Sequence, residues 1–255
     1  MRSISFAGCA WLLTYQMGVA KFIQENLQTH TMQFLGASSG AAVALMLVAG
    51  GNFDGALQSA LDFARHSKTR LFGPVGKMSH YLMTGLKTHL PKDAFRKAEN
   101  RLFISVTELP FLKNKLLPAA NTQSNEDLLR MVLASCYIPL YYEKPVVMGG
   151  RLYIDGGLTN NIPVLGPETI RVSPKPSWHR GGFHIFPQEE PRTLHAFFPD
   201  LKVMEALFQQ GIDDARSFFR RKRPSAASAP KTPFGAINSS RIAERSPVRS
   251  SKSHS

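Results

Sequence analysis

The sequence predicts an α/β fold in which helices cover a mainly parallel sheet. Short strand patterns alternate with helical patterns as far as about residue 219, an order typical of parallel sheets with helices on both faces. With 255 residues, 43% of them hydrophobic, the chain can also bury a large core. The run from Ala41 to Gly50 has no polar face, which predicts a helix buried on all sides. This run is shorter than the roughly 20 apolar residues of a membrane span.

The predicted elements follow one another along the chain. Residues 3–7 and 32–36 form two short strands, separated by a helix that ends near Leu27, and the buried helix follows the second strand. An amphipathic helix over residues 53–64 comes next, because its apolar residues recur at helical spacing. The remaining predictions are short helices and loops over 70–99, a strand over 101–109, a helix capped by Ser124 and Asp127 that ends at Ser135, a strand over 150–155, edge strands over 169–174 and 181–187, and an amphipathic helix over 201–219.

The composition changes at residue 220, so we expect a folded domain over residues 1–219 and a tail over 220–255. Nine Lys and Arg residues and one Glu follow Phe219, which gives the tail +8 of the formal net charge of +13. Rich in Ser, Pro and basic residues, the tail cannot bury enough apolar surface to fold, which predicts disorder. Its candidate roles are attraction to an anionic membrane surface, a nuclear targeting signal at RRKR, and release by phosphorylation. We do not expect nucleic acid as a partner.

Cysteine usage and the N-terminal pattern indicate a reducing compartment. Cys9 and Cys136 allow at most one bridge, and their spacing fits neither a disulfide framework nor a zinc site. The apolar stretch near the N-terminus continues through Tyr15 and Gln16 into a predicted helix, unlike a secretory signal. We therefore expect a cytoplasmic protein that uses no metal and no organic cofactor.

A candidate nucleophile lies between the second strand and the buried helix. Gly36, Ser38 and Gly40 form the pattern GxSxG, which at a strand-to-helix turn lifts the serine hydroxyl clear of the sheet. Glycines on either side remove side chains that would clash. The amides that begin the helix, from Ser39 onward, would favour a developing oxyanion. The alternative interpretation is a turn of small residues that lets the helix pack on the sheet.

A serine hydroxyl needs a base, and Asp155 ends the strand predicted over 150–155. Gly156 and Gly157 follow it and leave space around the carboxylate, although Asp-Gly-Gly is also a common turn. Ser38, Asp155 and either His184 or His195 occur in the chain order of an α/β-hydrolase triad. In that fold the elbow follows several strands, whereas here it follows two. The triad is therefore disfavoured, and we expect His184→Ala and His195→Ala to leave activity largely intact.

Several segments resemble the patatin-like phospholipase family, especially its animal-type acylglycerol and phospholipid hydrolases. They are ISFAGCAWLLTYQMGVA, FLGASSGA, ASCYIPLYY and LYIDGGLTNNIPV, and the similarity continues through TIRVSP, FPQ and LFQQGIDDARSFF. The resemblance covers residues 3–219 and implies a patatin-type three-layer sandwich, a Ser–Asp dyad and lipid ester substrates. It matches Ser38 to the family's nucleophile and Asp155 to its general base. We also expect peripheral contact with membranes or lipid droplets, to which the basic tail would contribute.

The loop after the first strand departs from the family pattern. Gly8, Cys9 and Ala10 begin the loop whose amides face the oxyanion in the family, but Ala10 and Leu13 stand where the family has glycine. At a position that requires positive φ, alanine costs about 1–2 kcal/mol, and losing one oxyanion donor costs about 10²–10³ in rate. The alternative function is therefore a catalytically weakened lipid-binding or regulatory protein. The sequence patterns identify no residue that selects among triacylglycerol, diacylglycerol, phospholipid and acyl-transfer substrates.

Overall fold

The computed structural model describes residues 3–175 and 183–221, which form an α/β sandwich around one sheet. The strands are β1 Ser3–Phe6, β2 Gln33–Ala37, β3 Leu102–Glu108, β4 Lys113–Pro118, β5 Val146–Met148, β6 Arg151–Asp155, β7 Ile170–Val172 and β8 Phe183–Ile185. The α-helices are α1 Leu13–Asn26, α2 Ser39–Ala49, α3 Phe53–Lys68, α4 Met78–His89, α5 Ala94–Ala98, α6 Asn125–Cys136, α7 Gly157–Asn160, α8 Leu194–Phe197 and α9 Leu201–Arg221. Ala10–Leu12 and Ala119–Asn121 form 3₁₀ turns.

The sheet has the order β5-β6-β3-β2-β1-β7-β8, with β4 also paired to β3. The pairs within β8-β7-β1-β2-β3 are parallel, whereas β4 and β6 run antiparallel to β3, and β5 runs antiparallel to β6. The predicted mainly parallel sheet is therefore confirmed, with an antiparallel part added.

Three details of the predicted sheet were wrong. The first two are that β4 and β5 were not predicted. β4 has the sequence KNKLLP, in which no side chain is fully buried. The third is that the segment over 169–174 is not an edge strand, because β7 lies between β1 and β8. Ile170 and Val172 are buried there, as expected for an inner strand.

The antiparallel part brings two strand ends together beside β3. The first part of β3, through Ser105, pairs with both β2 and β4, and the rest, from Val106, pairs with both β6 and β4. Because a strand has two edges, β2 and β6 must share the edge of β3 opposite β4. Ala37 at the end of β2 faces Ser105, and Asp155 at the end of β6 faces Val106. The two strands thus meet end to end.

The predicted helices are confirmed, with small differences at their ends. Every residue of α2 is buried, as its apolar run predicted. The Ser124 hydroxyl accepts a hydrogen bond from the Asp127 amide at 3.1 Å and caps α6. The final helix α9 extends two residues beyond Phe219 to Arg221 and packs against α1, where the Tyr15 hydroxyl donates to Asp214 at 3.0 Å.

Other sequence-based expectations concern membranes, cysteines and the tail. Across residues 3–175 and 183–221, none of the helices has both the length and the apolar character needed to cross a bilayer. Cys9 and Cys136 are buried free thiols. The segment over 222–255, which holds most of the predicted tail, lies outside the described residues.

Candidate active site

Ser38 occupies the turn between β2 and α2, in a backbone conformation that side chains rarely adopt. Its φ is 53° and its ψ is −133°, outside the regions that L-residues normally occupy. The flanking glycines allow the turn, because a Cβ at Gly40 would lie 2.2 Å from the Phe6 carbonyl oxygen. A Cβ at Gly36 would lie 2.4 Å from the carbonyl oxygen of Gly40. Ser38 therefore lies at a sharp strand-to-helix turn that requires glycine at positions 36 and 40.

Ser135, a residue that sequence reasoning did not select, holds this turn against the sheet. Its hydroxyl accepts a hydrogen bond from the Ser38 amide at 2.8 Å and donates to the Ser105 carbonyl at 2.6 Å. Its carbonyl accepts from the Gly156 amide at 3.0 Å. A Cβ at Gly156 would lie 1.9 Å from the Ser105 carbonyl oxygen, so glycine is required there. Ser135 thus connects the turn after β2 to the turn after β6.

The Ser38 hydroxyl donates a hydrogen bond to Asp155 Oδ2 at 2.5 Å. The other carboxylate oxygen, Oδ1, accepts from the Gly157 amide at 2.6 Å. The backbone of Asp155 is held by its amide, which donates to Tyr137, and by its carbonyl, which accepts from the Thr107 hydroxyl. Two side chains 117 residues apart in the chain are thereby fixed in contact.

Burial raises the pKa of Asp155 from 3.8 to about 6. The hydrogen bonds from Ser38 and Gly157 oppose this rise, because they stabilise the charged form. A carboxyl group with a pKa near 6 is a better proton acceptor than an exposed one and is still ionised at neutral pH.

The loop after β1 offers fewer free amides than the sequence suggested. The Gly8 amide donates to the Asn161 carbonyl at 3.2 Å, and the Cys9 amide donates to the Ser39 hydroxyl at 3.0 Å. Within the described part of the chain, the Ala10 amide has no acceptor. Among Gly8, Cys9 and Ala10, the amide left to bind an anion is therefore that of Ala10.

The two departures from glycine in this loop have different consequences. Ala10 has φ 49°, in the left-handed region that favours glycine. Leu13 has φ −54°, an ordinary helical value at the start of α1. Of these two positions, the backbone cost of a side chain at positive φ therefore applies to position 10 alone.

Two cavities meet at Ser38. The smaller, of about 110 Å³, is mostly apolar, and its wall includes Trp11, Met17, Val43, Met46, Phe63 and Leu86. The larger, of about 420 Å³, is also mostly apolar, and the polar groups on its wall include Asp155, Asn161, Lys175 and Thr193. Ser38 and Ala10 line both cavities, whereas Asp155 lines the larger one.

The histidines of the alternative triad lie elsewhere. His184 is on β8 and His195 is on α8, and neither lines the two cavities at Ser38. Within residues 3–175 and 183–221, no three or more His, Cys, Asp and Glu side chains form a group that could hold a metal ion. The arrangement pairs a serine directly with a carboxylate.

The chain is similar to known proteins over most of its length. Residues 4–167 match the family model described as patatin-like phospholipase. The human patatin-like phospholipase domain-containing protein 4 is 31% identical over 251 residues, covering 86% of this chain and 97% of the relative. The human 1-acylglycerol-3-phosphate O-acyltransferase PNPLA3 is 28% identical over 86% of this chain and 51% of its own length.

A solved structure agrees with these sequence relatives at the level of the fold. VipD from Legionella pneumophila superposes with a TM-score of 0.53 at 10% identity, over 86% of this chain and 66% of VipD. At such identity the likeness concerns the fold alone. The family match and the full-length human relative go further, and they show that the chain belongs to the patatin-like phospholipase family.

Proposed function

We propose that this protein is a serine lipid acyl hydrolase in which Ser38 is the nucleophile and Asp155 the general base. The observation that carries the proposal is the 2.5 Å hydrogen bond from the Ser38 hydroxyl to Asp155 Oδ2, at the junction of the two cavities. Membership of the patatin-like phospholipase family supports lipid acyl hydrolysis in general. The residue assignments rest on the geometry described above.

The reaction follows from these positions. Asp155 takes the proton of the Ser38 hydroxyl while Oγ forms a bond to the ester carbonyl carbon. When the ester C–O bond breaks, the protonated Asp155 returns this proton to the leaving alcohol. A water molecule then gives a proton to Asp155 and attacks the acyl-serine. When the acyl–Oγ bond breaks, Asp155 returns this proton to Ser38 Oγ, and the fatty acid is released. No histidine takes part.

The developing oxyanion requires donors close to Ser38. We assign the Ala10 amide as the donor from the loop, because the Gly8 and Cys9 amides are already bound. The amides at the N-terminus of α2, which begins at Ser39, add a second source of positive potential.

Labelling with a fluorophosphonate probe tests this function. The probe phosphonylates an activated serine with loss of fluoride, so we expect one labelled peptide that contains Ser38. Wild-type protein should also release fatty acid from a mixed emulsion of neutral lipid and phospholipid. Folded protein that neither reacts nor releases fatty acid would support the alternative of a lipid-binding or regulatory protein.

The Ala10→Gly variant is expected to raise the turnover number by about tenfold. Glycine adopts φ 49° without strain and removes a Cβ beside the donor amide, and a fully effective donor is worth about 10²–10³ in rate. Steady-state acyl release measures the effect, with Ala42→Gly in α2 as the control for adding a glycine near Ser38. An unchanged turnover number would show that the Ala10 side chain does not hinder the site.

We also propose that an apolar rim around the cavities contacts the lipid surface. The rim consists of Leu71, Phe72, Leu140, Phe197 and Phe198, all of them exposed. The segments that carry the rim lie close together, because the Tyr141 hydroxyl donates to the Phe197 carbonyl and the Gly76 amide donates to the Tyr141 carbonyl. A Cβ at Gly73 would also lie 3.8 Å from the Phe198 ring. Exposed apolar side chains grouped beside a cavity are typical of interaction surfaces.

The Leu140→Asp variant is expected to bind phosphatidylcholine vesicles about tenfold more weakly than wild type. Leu140 is 91% exposed and has φ 70°, so its strained backbone holds an apolar side chain in solvent. Placing a leucine in an apolar phase is worth about 1.5–3 kcal/mol. Vesicle co-sedimentation measures the effect, and Val147→Asp on the β5 strand is the matched control. Equal binding by both variants would place the contact elsewhere.

A further inference from the structure

The proton transfer proposed for Asp155 indicates which cavity holds which part of the substrate. In the proposed reaction Asp155 must deliver its proton to the leaving alcohol, so the alcohol has to lie beside the carboxylate. Asp155 lines the larger cavity and not the smaller one. The alcohol part of the ester therefore occupies the larger cavity, and the acyl chain enters the smaller one.

Lys175 is a buried charge on the wall of this larger cavity. The residue is 6% exposed, and its ammonium donates to Thr193 Oγ1 at 2.9 Å and forms an ion pair with Glu190 Oε1 at 2.9 Å. Thr193 lines the same cavity. An ammonium group has three donors, and in residues 3–175 and 183–221 Lys175 Nζ has no acceptor other than these two. One donor thus remains for a ligand.

The charges around Lys175 favour a neutral ligand over an anionic one. Glu190 already compensates the ammonium, and Asp155 places a second carboxylate on the same cavity wall. Among residues 3–175 and 183–221, the charges that a phosphate would meet there include the carboxylates of Glu190 and Asp155 beside the Lys175 ammonium. A phosphate would also raise the pKa of Asp155 further, away from its working range. A hydroxyl group meets neither penalty, because it accepts from Lys175 and donates to Thr193 Oγ1.

We propose that Lys175 and Thr193 form a hydroxyl-recognition site for the alcohol part of the substrate. The preferred substrates are then neutral esters whose alcohol carries a further free hydroxyl group, such as partial glycerides. This inference rests on the proposed hydrolase function and adds a substrate class to it. The site is separate from Ser38 and Asp155, so it selects the alcohol without taking part in proton transfer.

Three oleate esters test the proposal, namely monooleoylglycerol, ethyl oleate and oleoyl lysophosphatidic acid. All three are presented in mixed micelles of the same detergent to wild type and to the Lys175→Met variant. We expect wild type to show a kcat/KM about tenfold higher for monooleoylglycerol than for ethyl oleate, since a hydrogen bond to a charged group is worth about that factor. In Lys175→Met this ratio should fall to about 1, and Lys202→Met, at an exposed lysine on α9, should keep it.

The remaining outcomes separate this proposal from the function on which it rests. Three results would each overturn the hydroxyl site while leaving the hydrolase intact. They are a wild-type ratio near 1, an equal loss of kcat/KM on both neutral esters in Lys175→Met, and a preference for lysophosphatidic acid that Lys175→Met removes. Release of oleate from none of the esters would overturn the hydrolase and this proposal together. Should Lys175→Met fail to fold, Thr193→Val, at an exposed position, must lower the same ratio.

Discussion

The Asp155→Asn variant is expected to lose acyl release by about 10³-fold or more and to become more stable at pH 8. The activity falls because an amide cannot accept the Ser38 proton, and removing one member of a catalytic pair typically has an effect of this size. For wild type, the same reasoning predicts that the rate rises with pH up to about 6 and then levels off, because Asp155 has to be ionised.

The gain in stability follows from the raised pKa of Asp155. Well below pH 3.8 the carboxyl group is protonated in both the folded and the unfolded state, so burial of its charge costs nothing. As the pH rises from about 4 to 6, the unfolded state ionises first, and the folded state loses up to about 3 kcal/mol relative to it. Asparagine never ionises, so we expect a gain of about 1–3 kcal/mol at pH 8 and little at pH 4.

Urea unfolding at pH 4, 6 and 8 measures this difference in free energy of unfolding. Asp62→Asn is the matched control, because Asp62 lies on the exposed face of α3, and it should change stability by less than about 0.5 kcal/mol at each pH. If the gain for Asp155→Asn were equal at pH 4 and pH 8, the buried charge would not be its cause.

At position 38, glycine is expected to give a more stable protein than alanine, by about 1–2 kcal/mol, although both variants lose acyl release and probe labelling. Both remove the hydroxyl and its bond to Asp155, so the difference between them isolates the backbone. At φ 53° and ψ −133° a Cβ is strained by about 1–3 kcal/mol. The greater freedom of glycine in the unfolded chain offsets about 0.5–1 kcal/mol of this.

Thermal and urea unfolding of Ser38→Gly and Ser38→Ala measure the difference directly. Ala42→Gly serves as the comparison, because residue 42 lies inside α2, where glycine should destabilise by about 1 kcal/mol. The opposite signs at positions 38 and 42 are the specific expectation. If Ser38→Gly were no more stable than Ser38→Ala, the turn after β2 would store no strain.

Local sequence patterns predicted the elements that carry the site, because those elements depend on neighbouring residues. The apolar run of α2, the glycines around Ser38 and the serine cap of α6 all express short-range physics. The end of β6 at Asp155 was also readable from its strand pattern and the glycines that follow.

Local sequence patterns could not predict features that depend on contacts between residues far apart in the chain. The pairing of β4 is made through its backbone, so the polar sequence KNKLLP carries no strand signal. The amides of Gly8 and Cys9 are bound by residues far along the chain, which a single motif cannot reveal. Lys175 gave no signal at all, because its role depends on the cavity wall formed with Thr193 and Asp155.

The end-to-end meeting of β2 and β6 on one edge of β3 also bears on how this protein can diversify. The proposed reacting pair depends on a single shared strand, while much of the remaining wall of the two cavities comes from other segments, such as α3, α4 and the residues around 193–197. Insertions and exchanges in those walls can therefore alter which esters are accepted without displacing the chemistry. Substrate range and reactivity are in this sense independently evolvable.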